Sequence, residues 1–177
     1  MSNHEQPTIL YHGSPNKDIE RLEPRNVKVR SKDEGPVVFA TPDKAGAVKN
    51  LMWSDDSWTQ LSTHNGTHIA LIASDRAEFM AKDTGGACYE IAGEGFMCDT
   101  NFAARDEWTS RQPVVPVRKE VFPSALDAMI EHGVQVYFID QVTLRRYQDT
   151  DDKLSIIKEL TSENEVRGLP KPDFIDG

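Results

Sequence analysis

The chain has 177 residues, 38% of them hydrophobic and 28% charged, which suits one folded domain with a core of its own. Twenty-nine acidic residues against 20 basic ones give a net charge of −9, a balance that disfavours broad electrostatic binding to DNA or RNA. The opening MSNHEQPT is too polar for a signal segment, and the longest apolar runs, HIALIA and VQVYFI, are too short to span a bilayer. The expectation is a cytoplasmic protein with no membrane partner.

In chain order, residues 1–7 are expected to be flexible, and 9–11 read as a short strand that ends on His12-Gly13-Ser14. Residues 13–36 carry Pro15, Pro24 and Pro36 among many charges and read as a long loop with one helical turn near 19–22. VVFA is β-branched and aromatic and reads as a strand. Thr41 follows as an N-cap, with Pro42 at the first helical position and Asp43 in the first turn, and predicts a helix of about ten residues through Leu51 or Met52. Residues 53–66, with Trp53 and Trp58, read as polar and irregular, and THIALIAS as a buried strand.

ACYEIA and GFMC are expected to pair through a turn at Gly93-Glu94-Gly95, which would bring Cys88 towards Cys98. Two cysteines in a cytoplasmic chain are expected to remain reduced. DEWTSRQPVVPV reads as extended, with Pro113 and Pro116 confining it to an edge. Ser124 caps a short helix with Leu126, Met129 and Ile130 on its inner face and Gly133 just past its end. VQVYFI reads as a strand, and 151–161 as an amphipathic helix with Leu154, Ile157 and Leu160 on one side. The tail 163–177 is polar and proline-bearing and is expected to be flexible. Strands outnumber helices and do not alternate with them. That predicts one α+β domain over 1–177, with split, mostly antiparallel sheets flanked by a few short helices.

The familiar nucleotide and zinc signatures are absent from the sequence. His64 and His68 are four apart, but Asn65-Gly66 between them breaks a helix, so no metal site is expected. Three pieces carry the chemistry instead. In YHGS, a histidine ends a strand beside a glycine that lets a ligand approach the main chain. In VVFATPDKAGA, a strand delivers Phe39 and Thr41 to a helix start. In RDEWTS, Glu107 stands beside Asp106 before an extended segment, where only one of the two can face a cleft. Each piece alone is ordinary: a turn, a capped helix, a surface charge run.

Together, in this order and spacing, they resemble the ADP-ribosyltransferase superfamily of the diphtheria-toxin and poly(ADP-ribose) polymerase type, and most of all its small bacterial and phage-type members. LYHGS resembles the family's His-Gly-Ser/Thr strand, VVFAT…AGA its Tyr-Phe-Ala strand and small-residue helix, and EWTS its glutamate strand, over roughly residues 8–140. The resemblance implies that fold and NAD+ as substrate, with no metal. Glu107 would stabilise the positive charge that develops on the ribose, and His12 would hold a ribose hydroxyl. The Gly13 backbone would bind the nicotinamide carboxamide, and Ser14 would support the loop. Phe39 and Thr41 would line the site. Arg25 is chosen for the pyrophosphate over Arg21, Lys28 and Arg30. The acceptor of ADP-ribose is left open, with a protein ranked ahead of a nucleic acid.

Val38 or Phe39 stands where the family has tyrosine, so the stacking ring is lost or comes from Tyr89, Trp53 or Trp58. Gly46 falls near the family's small serine, and Glu90 and Glu120 are substitutes for Glu107. The alternative is a non-catalytic nucleotide-binding or protein-interaction module on the same fold.

Overall fold

The computed structural model describes residues 5–26, 35–98 and 107–166. Its architecture is α+β, with three small sheets and five helices among these residues.

The first sheet is built on β5 (Gly86–Ala92), which pairs antiparallel on one side with β1 (Ile9–Ser14) and on the other with β8 (Arg118–Phe122). GFMC therefore does not fold back on ACYEIA. β6 (Met97–Cys98) joins β7 (Trp108–Ser110), which pairs in turn with β2 (Val38–Ala40). Cys88 and Cys98 lie in different sheets and both remain thiols. Burial pushes the Cys88 thiol up to about 11, so it is a packing group rather than a nucleophile.

The third sheet holds β3 (Thr59–His64), β4 (Thr67–Ile72) and β9 (Gln135–Phe138), with β9 parallel to β4. Residues 59–64 are thus a strand and not irregular. Asn65 and Gly66 take φ of 50° and 80°, the positive pair that closes a two-residue hairpin. β3 is polar because its ladder comes from β4, not from an apolar alternation of its own. The apolar run of β4 has the opposite cause: Ala70 and Ile72 enter one core cluster, Ile69 and Leu71 another, so both faces are covered.

The first helix, α1 (Lys44–Val48), is half as long as the sequence suggests, and its cap is Asp43 rather than Thr41. Thr41 cannot cap because its backbone is committed to Tyr11 of β1. Bonds from Asn50 to Ala47 and from Leu51 to Val48 carry the chain on as turn rather than helix. α2 (Arg76–Lys82), capped by Asp75, follows β4 and is not evident from apolar periodicity, since Phe79 alone is buried. α3 (Ala125–Glu131) is capped by Ser124 as expected.

After β9 come α4 (Gln141–Asp149) and α5 (Lys153–Val166). Leu154 is exposed on α5, where Ile156 and Ile157 face inward beside Leu144 and Tyr147 of α4. No helical turn forms at 19–22; Leu22 makes a bridge to Val114 instead.

The main core lies between α1, α3, β4 and β5, and a second one between β1, β2 and β7 around Leu10, Val38 and Trp108. Of the termini, Gln6 is tied to the Gly93 and Phe96 carbonyls, and residues 1–4 and 167–177 lie outside the described residues. Among the described residues no helix is long and apolar enough to cross a membrane.

Candidate functional site

The site begins where two strands meet and part. Tyr11 and Thr41 exchange both backbone hydrogen bonds, at 2.7 and 3.0 Å, and this pair is isolated: the ladder stops there. Four residues back along the same edge of β2, Val37 exchanges bonds with Arg25. Between them lies Phe39, whose polar groups alternation places on this edge too. Its carbonyl accepts a 2.7 Å bond from the ring of His12. The edge of β2 thus changes partner, from β1 at Thr41 to Arg25 at Val37, with the imidazole filling the change-over.

That bond fixes the chemistry of the ring. A carbonyl oxygen can only accept, so Nδ1 of His12 carries hydrogen. The remaining nitrogen, Nε2, makes no hydrogen bond among the described residues. Burial lowers the His12 pKa, the Arg25 charge lowers it further, and the Phe39 carbonyl only partly offsets them. The neutral ring therefore offers Nε2 as an acceptor, suited to a hydroxyl donor, beside a guanidinium.

Gly13 is explained by its surroundings in a way the sequence does not reveal. A β-carbon there would lie 1.9 Å from the Ala47 carbonyl oxygen, so the helix α1 backbone occupies the space of the missing side chain. The main-chain groups of Gly13 are a separate matter. Tyr11 directs both of its groups at β2, so alternation directs those of Gly13 the same way, towards the Phe39 level of β2. Ser14 accepts a bond from the Asn16 amide and shapes the loop that follows.

Glu107 is half-buried at the residue before β7. The β2–β7 register ends at Ala40↔Trp108, which sets Glu107 beside Thr41, and Thr41 is bonded to Tyr11. Glu107 and β1 therefore flank β2, two strand spacings or about 10 Å apart at the backbone. The fold brings His12, Phe39 and Arg25 into one cluster and sets Glu107 at the Thr41 level of β2, where alternation turns its side chain to the Tyr11 face rather than the His12 face. Asp106, Lys28 and Arg30 lie outside the described residues.

Other candidates go elsewhere. Glu120 is ion-paired with Lys44 of α1. Tyr89 is fully buried, and its hydroxyl donates to the Asn16 carbonyl and accepts from the Ile19 amide, so it anchors the loop and presents no stacking face. Trp58 packs on Phe79, and Trp53 is 79% exposed. The α1 start carries the Asp43 carboxylate on its first donor, which makes it a poor phosphate seat. His64 bonds Tyr147 of α4 and His68 bonds Asp43, so the two histidines serve different contacts. The sequence suggests Tyr89 as a stacking ring and not as a loop anchor; a tyrosine inside a buried strand, which must find a partner for its hydroxyl, is the signal for the anchoring role.

No protein-family model, curated protein or solved structure matches this chain.

Proposed function

We propose that the chain is an NAD+-dependent ADP-ribosyltransferase on the fold that its motifs resemble. The observation that carries this reading is the neutral His12, pinned through Nδ1 with Nε2 open, at the point where β1 and β2 part. A ribose hydroxyl would donate to Nε2, and the nicotinamide carboxamide would pair with the Gly13 main chain. Arg25 supplies positive charge next to the sugar, as the pyrophosphate requires.

In the reaction, the bond between nicotinamide and C1′ of the ribose breaks and its electron pair leaves with nicotinamide. The oxocarbenium-like carbon is met by an acceptor oxygen or nitrogen, which gives up its proton. Glu107, at the Thr41 level of β2, would be the carboxylate that offsets the developing positive charge. A protein acceptor fits the net charge of −9 better than a polyanion does.

The test is nicotinamide release from NAD+ by the purified chain. Glu107→Gln keeps the shape and removes the charge, and should cut turnover by about 100-fold or more. A Glu107→Gln protein that releases nicotinamide at the original rate removes Glu107 from the mechanism.

A second reading, nucleotide binding without chemistry, rests on the ring question. Phe39 lacks a hydroxyl, and Tyr89 is sealed inside. Calorimetry separates the two: heat of NAD+ binding with no nicotinamide released supports the module.

A further inference from the structure

A second polar cluster lies on the far side of the elbow at 41–43. His68 of β4 is 9% exposed and uses both ring nitrogens. Nε2 is 2.6 Å from Oδ2 of Asp43; Nδ1 is 3.0 Å from the Thr63 hydroxyl and 3.2 Å from the Lys49 ammonium. Lys49 also donates to the Thr63 hydroxyl at 2.9 Å. A carboxylate only accepts and an ammonium only donates, so the ring carries its hydrogen on Nε2 and leaves Nδ1 bare. This is the reverse of the His12 tautomer, and here both nitrogens have partners.

What His68 holds is the elbow itself. Asp43 receives the Ala45 amide on Oδ1, and its own amide donates to the Thr41 hydroxyl at 3.1 Å. Thr41 is in turn the residue bonded to Tyr11 and set beside Glu107. A β-carbon on Gly46 would meet the His68 ring at 3.2 Å and the Thr41 methyl at 3.3 Å, so ring and threonine press on the same spot of α1.

We propose that His68 is a positioning residue of the candidate site: through Asp43 it fixes the elbow from which Thr41 spaces β1 and Glu107. This rests on the transferase reading, since only there does that spacing bear on turnover.

Three variants test it. In His68→Gln the side-chain amide nitrogen reaches the place of Nε2 and can still donate to Asp43. In His68→Asn the amide reaches only the place of Nδ1, and the Asp43 bond is lost. Asp43→Asn keeps an oxygen for the helix cap but turns a donor towards the His68 donor. Once melting has shown each variant folded, nicotinamide release is followed against NAD+ concentration. His68→Asn and Asp43→Asn should lower kcat by about tenfold or more with KM within about threefold, while His68→Gln stays within about threefold of the parent. Equal loss in the asparagine and glutamine variants at position 68, or none in either, overturns the proposal.

Hydrogen exchange at the Thr41 amide is read alongside. It should accelerate by about tenfold in His68→Asn and not in His68→Gln. If the parent protein releases no nicotinamide, the transferase reading fails, and the exchange still decides the elbow: an unchanged Thr41 amide in His68→Asn overturns the positioning role by itself.

Discussion

Two polar nodes in this molecule are built to opposite rules. Asp83, in the turn before β5, takes four hydrogen bonds: the Gly85 and Ala125 amides on one oxygen, the Ser124 hydroxyl and the Leu126 amide on the other. Each oxygen is full, and the carboxylate ties the β5 turn to the start of α3. His12 has one nitrogen committed to the Phe39 carbonyl and leaves the other without a partner among the described residues. The first node spends all its capacity on shape. The second holds half of its capacity back, in a gap where the strand ladder has stopped. That difference is why function is sought at His12 and stability at Asp83.

The largest expected effect joins the two rules at Gly13. Gly13→Ala would push a methyl group into the Ala47 carbonyl, at 1.9 Å in the unrelaxed structure. Undocking α1 should cost about 3 kcal/mol or more, read from chemical denaturation. A near-neutral Gly13→Ala would mean that α1 can shift freely, and the tight seat under the site would be wrong.

Next comes Asp83→Asn, which keeps the volume but loses charge and acceptor capacity, at a cost of about 2 kcal/mol. Burial alone would raise the Asp83 pKa, but its four donors outweigh burial and hold it below the usual carboxylate value. The folded pKa lies below the unfolded one, so this stability is full above about pH 4 and is lost as pH falls through the folded value. Asp83→Asn should therefore flatten the acid end of the stability profile. A variant with an unchanged acid limb would show that other carboxylates set it.

The same contrast separates what was legible in the sequence from what was not. Caps and turns with local chemistry were readable: Ser124 opens α3, and the strands at Val38 and Thr67 follow their β-branched content. β3 was hidden because a polar strand owes its existence to a distant partner. Asp43 displaced Thr41 as cap because Thr41 was already engaged by β1, a long-range bond that no local rule contains. At the site, His12, Gly13 and Glu107 could be picked out as residue types, and Arg25 was a choice among four basic residues. What could not be read was their use: the tautomer of His12, the helix seated on Gly13, and Tyr89 turned inward to hold the loop.

Tyr89→Phe sharpens that last point. The change removes one hydroxyl and leaves the Asn16 carbonyl and the Ile19 amide without it, both in the loop that follows Ser14. It should cost about 1–2 kcal/mol of stability. If Tyr89 is an anchor and not a ligand contact, affinity for NAD+ should fall only as far as the loop loosens, by less than about tenfold. Complete loss of binding with unchanged stability would return Tyr89 to the site.

The smallest effect is a pH dependence, and its sign is set by the open node. Burial, aided by Arg25, keeps the folded His12 pKa below its unfolded value near 6.5. Between the two values the unfolded chain binds a proton that the native chain refuses. Stability therefore rises with pH across that window, levels off above it, and is lost as pH drops. One such group contributes at most about 1.4 kcal/mol per pH unit. His64 pulls the same way, because burial, with Lys153 close by, lowers its pKa as well. Comparing the parent with His12→Gln isolates the His12 share. Binding should follow a different curve. Nε2 stays an acceptor until the folded ring is protonated, so the pH at which NAD+ affinity is half lost should lie below the ordinary imidazole value of about 6.5. An affinity half lost at about 6.5 or above, as for an imidazole in open water, would mean that the ring is neither buried nor held as the Phe39 bond requires.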